Sequence, residues 1–356
     1  MAEKVLMKGN EALAEAAIMA GCRHYFGYPI TPQTEVAAYM AKRMPKIDGG
    51  VFLQAESEIA AINMVIGVAA TGKRVMTSSS SPGISLKSEG ISYLAGCDLP
   101  ALIVNVQRGG PGLGGIQPSQ ADYFQATRGA GHGDFHLVVL APASVQEMVN
   151  LTFKGFDLAE KYRTPVMLLS DGTMGQMMEP VSLDLGEVNE YDKSWALTGT
   201  KDGKPRNIVN SLFLKPEELE QFNFDRYERY AQIEKNEVMY EEYMMDDAEI
   251  CIVAFGVAAR VSQNAIDEAR KQGIKVGMIR PITLWPFPKD ILNKTADKVN
   301  SFISVELNMG QMVEDIELAT RCKKPVLLCN RVGGMIPTTE NVLDKINEAV
   351  KLGGAK

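Results

Sequence analysis

The chain has 356 residues, of which 46% are hydrophobic and 23% charged, with a formal net charge of −7 at pH 7. This composition is typical of a folded globular protein and excludes a disordered chain, and the length excludes a small domain held together by disulfides. The acidic balance, without a basic stripe, argues against nucleic-acid binding, and the length predicts about two domains.

Membrane, metal and export signals are weak in this sequence. No apolar run reaches the roughly 20 residues that span a bilayer, so no membrane partner is expected. The first residues, Met1-Ala2-Glu3-Lys4, lack a secretion signal, which predicts a cytoplasmic location. The five cysteines form no Cys-x-x-Cys pair and fit neither a zinc site nor an iron–sulfur cluster. We therefore expect reduced thiols and no metal site made by this chain.

The first 170 residues alternate helix-period segments with short apolar segments. The pattern predicts helices at 10–19, 33–41, 57–70, 84–95 and 145–159, and strands at 24–28, 51–54, 74–78, 101–106, 137–140 and 166–169. Such alternation is typical of a parallel sheet covered by helices on both faces. Functional loops of such sheets follow the carboxyl ends of the strands, so we expect four loops on one edge: 28–31, 55–58, 78–83 and 107–115.

The sequence changes character after residue 180. The segment 216–243 is charged and rich in tyrosine, which predicts a solvated helix. A second α/β unit follows, with strands predicted at 249–255, 275–279, 302–305 and 326–328, and helices at 258–272 and 311–320. We therefore predict a domain at 1–180, a linker with a charged helix at 181–245, and a domain at 246–356.

One glycine-rich segment imitates a dinucleotide-binding motif. Gly110-Pro111-Gly112-Leu113-Gly114-Gly115 has the G-x-G-x-x-G spacing after a strand. It comes late in the domain, however, contains a proline, and precedes no predicted helix, so nicotinamide binding is disfavoured. The glycines are better explained by a backbone that must bend closely around a ligand or a partner chain.

Polar residues follow four of the predicted strands, and each permits more than one interpretation. Thr31 either caps a helix or donates to a small carboxylate or keto group. Glu56 and Glu58 open the next helix, where acids commonly stabilise the N-terminus. The loop 77–83 is rich in serine, and it either holds an anion or a flat ring or is a plain loop. Arg108, at the end of a buried strand, suits either a bound carboxylate or an interface ion pair.

Taken together, these segments resemble the pyrimidine-binding domain of the thiamine-diphosphate-dependent 2-oxoacid:ferredoxin oxidoreductases. The stretches that carry the resemblance are GYPITPQTE (27–35), QAESEIAAINMVIGVAATG (54–72), SSSSPGISL (78–86), LPALIVNVQRGGPGLGG (99–115) and TPVMLLSDG (164–172). The second unit, ICIVAFGVAARVSQNAIDEARKQGIKVGMIRPITLWPFP (250–288), resembles the transketolase C-terminal-like domain of the same subunit. The alpha-type subunit of the branched-chain (2-oxoisovalerate) branch is the most similar in appearance.

The resemblance implies an α/β fold and a reaction. A thiamin-diphosphate-binding-fold pyrimidine domain, with helices on both faces of a parallel sheet, is followed by a transketolase C-terminal-like α/β domain. The implied reaction is an oxidative decarboxylation, in which a 2-oxoacid, coenzyme A and oxidised ferredoxin give acyl-CoA, CO₂ and reduced ferredoxin. The implied substrate is 2-oxoisovalerate (3-methyl-2-oxobutanoate), with 2-oxoglutarate and pyruvate as alternatives.

The resemblance also implies roles for individual residues. Glu58 matches the family's carboxylic acid that hydrogen-bonds the aminopyrimidine ring, and Glu56, two residues earlier, matches it less well. Thr31 and Arg108 match the family's substrate-contacting threonine and arginine. The residues implied to line the cofactor site are Ser79, Ser80, Pro82 and Gly83.

Part of the cofactor site is missing from the sequence. Thiamine enzymes of this kind hold the diphosphate and Mg²⁺ with a Gly-Asp-Gly motif and a later asparagine, whereas the nearest string here is Ser170-Asp171-Gly172. The resemblance therefore implies a diphosphate-binding partner subunit, together with gamma-type and ferredoxin-like subunits. Iron–sulfur clusters are expected only in these partners. A split thiamine-dependent decarboxylase without redox chemistry and a non-catalytic scaffold subunit remain alternatives.

Overall fold

A computed structural model describes residues 4–200 and 203–353 as a mixed α/β protein with two large sheets and one strand pair. The strands are β1 (Lys4–Lys8), β2 (His24–Gly27), β3 (Val51–Gln54), β4 (Val75–Ser79), β5 (Ala101–Gln107), β6 (Val138–Leu140), β7 (Pro165–Asp171), β8 (Met178–Ser182), β9 (Tyr240–Tyr243), β10 (Ile250–Ala254), β11 (Val276–Pro281), β12 (Thr283–Trp285), β13 (Ser301–Glu306) and β14 (Val326–Asn330). The helices are α1 (Gly9–Met19), α2 (Thr34–Arg43), α3 (Glu58–Ala69), α4 (Ser81–Gly96), α5 (Tyr123–Arg128), α6 (Val145–Tyr162), α7 (Gly172–Gln176), α8 (Pro216–Asn236), α9 (Gly256–Lys271), α10 (Lys289–Ala296), α11 (Met312–Thr320) and α12 (Thr339–Gly353).

The first sheet has seven strands in the order β12-β6-β7-β5-β4-β2-β3. Strands β2 to β7 run parallel, and β12 joins the edge antiparallel to β6. The central strands β4, β5 and β7 are buried along their whole length, as expected where helices cover both faces of a parallel sheet. The predicted parallel sheet is confirmed, and the carboxyl ends of β2 to β5 share one edge.

The second sheet has five strands in the order β14-β13-β10-β11-β9. Only its edge strand, β9, is antiparallel. This strand lies inside the segment predicted as a linker, and β12 of the second unit pairs with the first sheet. The domain boundaries at 180 and 245 therefore stay predictions.

Tertiary pairing explains most of the differences from the predicted elements. The predicted helix over 216–243 is wrong at its end: α8 stops at Asn236, and residues 240–243 form β9 against β11. Residues 283–285, for which no strand had been predicted, form the short strand β12. Helix α12, which had not been predicted, places Val342, Ile346 and Ala349 in the core of the second sheet.

Buried contacts join the two sheets into one body. Phe255 and Phe287 of the second unit lie in the same hydrophobic cluster as Leu140 of the first sheet. The buried side chain of Arg280 on β11 donates both to Glu147 at the start of α6 and to Glu241 on β9. Loops of the second unit are thereby held against the functional edge of the first sheet. None of the described helices is both long and apolar enough to cross a membrane.

Candidate active site

The way in which α3 begins places the two candidate acids, Glu56 and Glu58, in different environments. Ser57 is the N-cap, and its Oγ accepts a hydrogen bond from the Ala60 N–H at 3.1 Å. This cap places Glu58 in the first turn, where its side chain is buried, with 5% of the residue exposed. Glu56 is exposed to solvent. Of the two acids, Glu58 is the one that the fold directs into the protein.

Helix α4 approaches Glu58 at a position that only glycine permits. A Cβ atom at Gly83 would lie 2.6 Å from Glu58 Oε1 and would also collide with Ser79 Oγ. Gly83 is therefore needed for the first turn of α4 to sit against the carboxylate. Three of the residues predicted for the cofactor site, Glu58, Ser79 and Gly83, are brought together by this contact.

Two buried hydroxyls beside this contact have no hydrogen-bond partner in the part of the chain that the structure describes. Ser79 and Ser80 are fully buried, and neither Oγ forms a hydrogen bond to a described residue. Ser80 is the N-cap of α4, yet its side chain does not cap the helix, in contrast to Ser57. Buried polar groups normally find partners, so these hydroxyls indicate a position where a group from outside the chain is bound. A carboxylate and free hydroxyls around a glycine fit the polar edge of an aminopyrimidine ring.

A polar network lies behind these residues, and sequence reasoning missed its central member. Lys87 on α4 is fully buried, and its Nζ donates to Thr77 Oγ1 at 2.7 Å and to the Ser78 carbonyl at 3.0 Å. Ser78 Oγ donates to Gln33 Oε1 at 2.5 Å and also bonds Tyr25 OH at 2.7 Å. Burial lowers the pKa of Lys87 to about 7, and the charge of Glu58 opposes this shift. A lysine within an amphipathic helix gives no sequence signal of such burial.

Arg108 joins two of the predicted loops at the same edge. Its Nη1 donates to the Thr31 carbonyl at 3.0 Å, and its Nη2 donates to the Leu113 carbonyl at 3.2 Å. The Arg108 side chain is largely buried, and its Nε has no partner among the described residues. Thr31 itself is exposed. The predicted pair of substrate-binding residues therefore meets in the fold, with several guanidinium N–H donors unused.

A cavity of about 470 Å³ opens beside Arg108 between the two units. Its lining includes Pro82, Arg108, Gly110 and Asp122 of the first unit, and Leu307, Asn308, Met309 and Val332 of the second. Asp122 Oδ2 accepts hydrogen bonds from Ser81 Oγ at 2.6 Å and from Asn105 Nδ2 at 2.9 Å, while burial raises its pKa. Arg108 and Asp122 are the two charged residues of the lining. The contribution of loops 307–311 and 332–333 had not been predicted.

The glycine-rich segment forms an irregular loop along this cavity. No helix begins within or directly after 110–115, as the sequence predicts. Gly114 has a φ of +58°, and a Cβ there would collide with the Gly109 carbonyl. The glycines serve a tight backbone turn next to Arg108.

The Ser170-Asp171-Gly172 string is used inside the chain. Asp171 is fully buried, and its Oδ1 accepts the N–H groups of Thr173 at 2.8 Å and Met174 at 3.1 Å, which caps α7. The backbone of Val257, at the start of α9, also bonds this carboxylate. Within residues 4–200 and 203–353, no group of three or more His, Cys, Asp or Glu side chains is arranged to hold a metal ion.

Comparison with family models shows to which protein family the chain belongs. Residues 15–244 match the family described as pyruvate flavodoxin/ferredoxin oxidoreductase, thiamine diphosphate-binding, and residues 248–342 match pyruvate:ferredoxin oxidoreductase core domain II. The chain belongs to the 2-oxoacid:ferredoxin oxidoreductase family, as an alpha-type subunit. The predicted family and fold are confirmed, and the first unit is a thiamine-diphosphate-binding domain.

Named relatives agree with this assignment over nearly the whole chain. Ketoisovalerate oxidoreductase subunit VorB of Methanothermobacter thermautotrophicus is 53% identical over 344 residues, which cover 96% of this chain and 97% of the relative. The 2-oxoglutarate synthase subunit KorA of the same organism is 34% identical and covers 97% of this chain and 99% of the relative. These relatives are named as subunits, so this chain is one subunit of a larger oxidoreductase.

Two solved structures share the fold. A 2-oxoglutarate:ferredoxin oxidoreductase from Magnetococcus marinus, with 2-oxoglutarate, coenzyme A and succinyl-CoA bound, superimposes with a TM-score of 0.87 at 29% identity. The match covers 98% of this chain and 66% of that chain. A split-gene transketolase, an inactive β4 tetramer, has a TM-score of 0.62 at 14% identity, covering 98% of this chain and 99% of its own, and this match shows the fold alone.

Proposed function

We propose that this chain is the alpha-type subunit of an oxidoreductase that converts 2-oxoisovalerate, coenzyme A and oxidised ferredoxin into acyl-CoA, CO₂ and reduced ferredoxin. The observation that carries the proposal is the buried Glu58 carboxylate against Gly83, beside two hydroxyls without partners. Full-length similarity to a ketoisovalerate oxidoreductase subunit supports the substrate.

The chain holds the aminopyrimidine end of thiamine diphosphate in this proposal. When bound, this cofactor supplies the electron sink that decarboxylation of a 2-oxoacid requires. Glu58 holds a proton at the ring edge, and the residues around it that line the ring are Ser79, Ser80, Pro82 and Gly83. Because Glu58 is buried, water is kept away from the shared proton.

Arg108 and Thr31 bind the carboxylate end of the 2-oxoacid. Two carbonyl oxygens, of Thr31 and Leu113, fix the guanidinium plane and leave further N–H donors free for a carboxylate. Fixing the plane beforehand reduces the entropy that is lost when the substrate binds. Thr31 is exposed and its carbonyl accepts from Arg108, so this residue stands beside the guanidinium at the same end of the substrate.

The composition of the cavity favours a 2-oxoacid with one carboxylate. Arg108 is the one cation in its lining, and the other charged residue, Asp122, is an acid. A second carboxylate, as in 2-oxoglutarate, would have no cation to pair with there. Leu307, Met309 and Val332 offer apolar contact to a branched side chain instead.

The remaining cofactor groups belong to partner subunits in this proposal. Asp171 is occupied by backbone N–H groups of its own chain, which supports assigning the diphosphate and Mg²⁺ to a partner. Gamma-type and ferredoxin-like subunits complete the complex and carry the iron–sulfur clusters. The cytoplasmic location expected from the sequence, and the use of ferredoxin and coenzyme A, are part of the same proposal.

The test is a substrate panel on the complex assembled with its partner subunits, with reduction of a viologen dye as the readout. We expect kcat/KM for 2-oxoisovalerate to exceed that for 2-oxoglutarate by at least about tenfold, since one unpaired buried charge costs that much or more. Release of CO₂ and an aldehyde, without acyl-CoA formation or dye reduction and from a colourless complex, would favour the non-redox decarboxylase instead.

Single-residue variants test the roles proposed for Glu58 and Arg108. Glu58→Gln should lower kcat by about a hundredfold or more while the complex still assembles, because proton transfer at the ring edge is lost. Glu56→Gln is the matched control and should keep the wild-type rate, since Glu56 is exposed. Arg108→Ala should raise KM for the 2-oxoacid. Wild-type turnover by Glu58→Gln would reject the assignment.

A further inference from the structure

The Lys87 side chain is a buried cation that the proposed mechanism does not use. It is fully buried, and its two hydrogen-bond partners, Thr77 Oγ1 and the Ser78 carbonyl, are both uncharged. No carboxylate lies within salt-bridge distance of its Nζ among the pairs formed by the described residues. Buried lysines are rare and are normally paired, so the position of this one needs an explanation.

Helix packing brings Lys87 to face the first turn of α3. Gly83, Lys87 and Gly90 are spaced four and three residues apart, so they lie on one face of α4. A Cβ at Gly83 would lie 2.6 Å from Glu58 Oε1, and one at Gly90 would lie 2.5 Å from Ile62 Cγ2, one turn further along α3. Lys87 stands between these two contacts, on the side of α4 that meets Glu58.

Glu58 is the charge that acts on Lys87. Helix α3 carries no other ionisable side chain, and the nearby end of β4 contributes only hydroxyl and carbonyl groups. Strands β5 and β7 also pack against α4, but their buried acid, Asp171, has no effect on the pKa of Lys87. Among the described residues, Glu58 alone perturbs that pKa electrostatically, while burial lowers it to about 7.

We propose that Lys87 is a positioning residue whose positive charge faces Glu58 and holds that side chain at the edge where the cofactor binds. The same amine fixes the end of β4, from which Ser79 and Ser80 project. The inference rests on the role proposed above for Glu58.

The proposal has a defined pH dependence. A cation attracts a carboxylate that faces it in a buried site. Lys87 is an ammonium below about pH 7 and a neutral amine above it. Its attraction for the Glu58 side chain is therefore present below pH 7 and lost by pH 8.5, where the difference between wild type and a neutral variant should shrink.

The experiment compares wild type with Lys87→Gln in the complex assembled with its partner subunits. Thiamine diphosphate binding is measured by calorimetry without 2-oxoacid, and kcat/KM with it, both at pH 6.0 and 8.5. Relative to wild type, we expect Lys87→Gln to weaken both quantities by about three- to tenfold more at pH 6.0 than at pH 8.5.

Two further variants separate charge from hydrogen bonding. Lys87→Arg keeps a cation at every pH, so it should retain the wild-type affinity at pH 6.0 and exceed it at pH 8.5. Thr77→Val removes one hydrogen bond but leaves the ammonium, so its ratio to wild type should not vary with pH. Lys298→Gln, at an exposed lysine, is the control for a simple change of net charge.

Outcomes that contradict the role of Lys87 can be told apart from outcomes that contradict the proposed function. Equal loss by Lys87→Gln at both pH values would show a purely structural role, and no loss at pH 6.0 would show no role. A wild-type complex that neither binds thiamine diphosphate nor turns over a 2-oxoacid would overturn the proposed function instead. If Lys87→Gln does not assemble, a Lys87→Arg complex whose affinity at pH 8.5 does not exceed wild type overturns the Lys87 proposal.

Discussion

The helix that follows β13 begins at a carboxylate that accepts its N–H groups, whereas the helix that follows β4 begins at hydroxyls that form no hydrogen bond to any described residue. After β13, the fully buried Glu306 accepts the N–H groups of Gln311 at 3.0 Å, Met312 at 2.8 Å and Val313 at 2.9 Å. Ser304 Oγ donates to the same carboxylate at 2.7 Å. These three N–H groups at the start of α11 therefore all have an acceptor in the same chain.

The junction of β4 and α4 also follows the carboxyl end of a parallel strand, but it has the opposite character. Ser79 and Ser80 are buried without a hydrogen-bond partner among the described residues, and the Ser80 side chain does not cap the helix that it begins. Helix termini need their free polar groups satisfied, so an open junction is stable only if another molecule completes it. The β13–α11 junction is thus closed for stability, whereas the β4–α4 junction is left open for a ligand.

The largest loss of stability is expected from a variant that removes the Glu306 carboxylate from the β13–α11 junction. Glu306→Ala leaves three backbone N–H groups of α11 without an acceptor, which should lower the free energy of unfolding by about 3–5 kcal/mol. Chemical denaturation of the purified protein measures this loss. Glu314→Ala is the matched control in the same helical turn, and since the Glu314 side chain is 53% exposed, it should change stability by less than about 0.5 kcal/mol. Equal effects of the two variants would refute the comparison.

A third junction, between β7 and α7, is closed by Asp171 at an electrostatic cost. Burial raises the pKa of this carboxyl from 3.8 to about 6. A folded-state pKa above the unfolded one means that the folded state binds the proton more tightly. Stability should therefore fall as pH rises from about 4 through 6, by about 3 kcal/mol in total.

Asp171→Asn removes this titration. Relative to wild type, the Tm of the variant should rise between pH 4.5 and about pH 6.5 and then stay level to pH 7.5, as measured by thermal unfolding at each pH. A constant difference in Tm across this range would show that Asp171 does not titrate there.

The smallest expected change in stability comes from replacing two buried serines, Ser304 and Ser80. Ser304→Ala removes a hydrogen bond to Glu306 and should cost about 1 kcal/mol, whereas Ser80→Ala removes an unpartnered hydroxyl and should cost nothing measurable. In the assembled complex, Ser80→Ala should instead weaken thiamine diphosphate binding several-fold, and Ser304→Ala should not. The reverse pattern would contradict the assignment of β4 as the open junction.

Local signals in the sequence account for the first sheet and much of its edge. Short apolar strands followed by polar loops predicted that Thr31 and Arg108 would share one edge, and the Arg108–Thr31 hydrogen bond agrees with this. Position in the family motif favoured Glu58 over Glu56, and the Ser57 cap explains why one is buried and the other exposed.

What the sequence did not reveal depends on contacts between distant segments. Lys87 has the pattern of an ordinary helical lysine, and its burial follows from how α3 and α4 pack. Strand β9 was predicted as part of a helix because its pairing with β11 has no local signal. Leu307 and Met309 line the cavity only because the second unit docks on the first.

The most direct test is a structure of the complete complex with thiamine diphosphate bound. We predict that a Glu58 carboxyl oxygen lies at hydrogen-bonding distance, about 2.6–3.0 Å, from the aminopyrimidine ring, while a partner subunit holds the diphosphate. A Glu58 side chain turned away from the ring, or a diphosphate bound by residues of this chain, would contradict it.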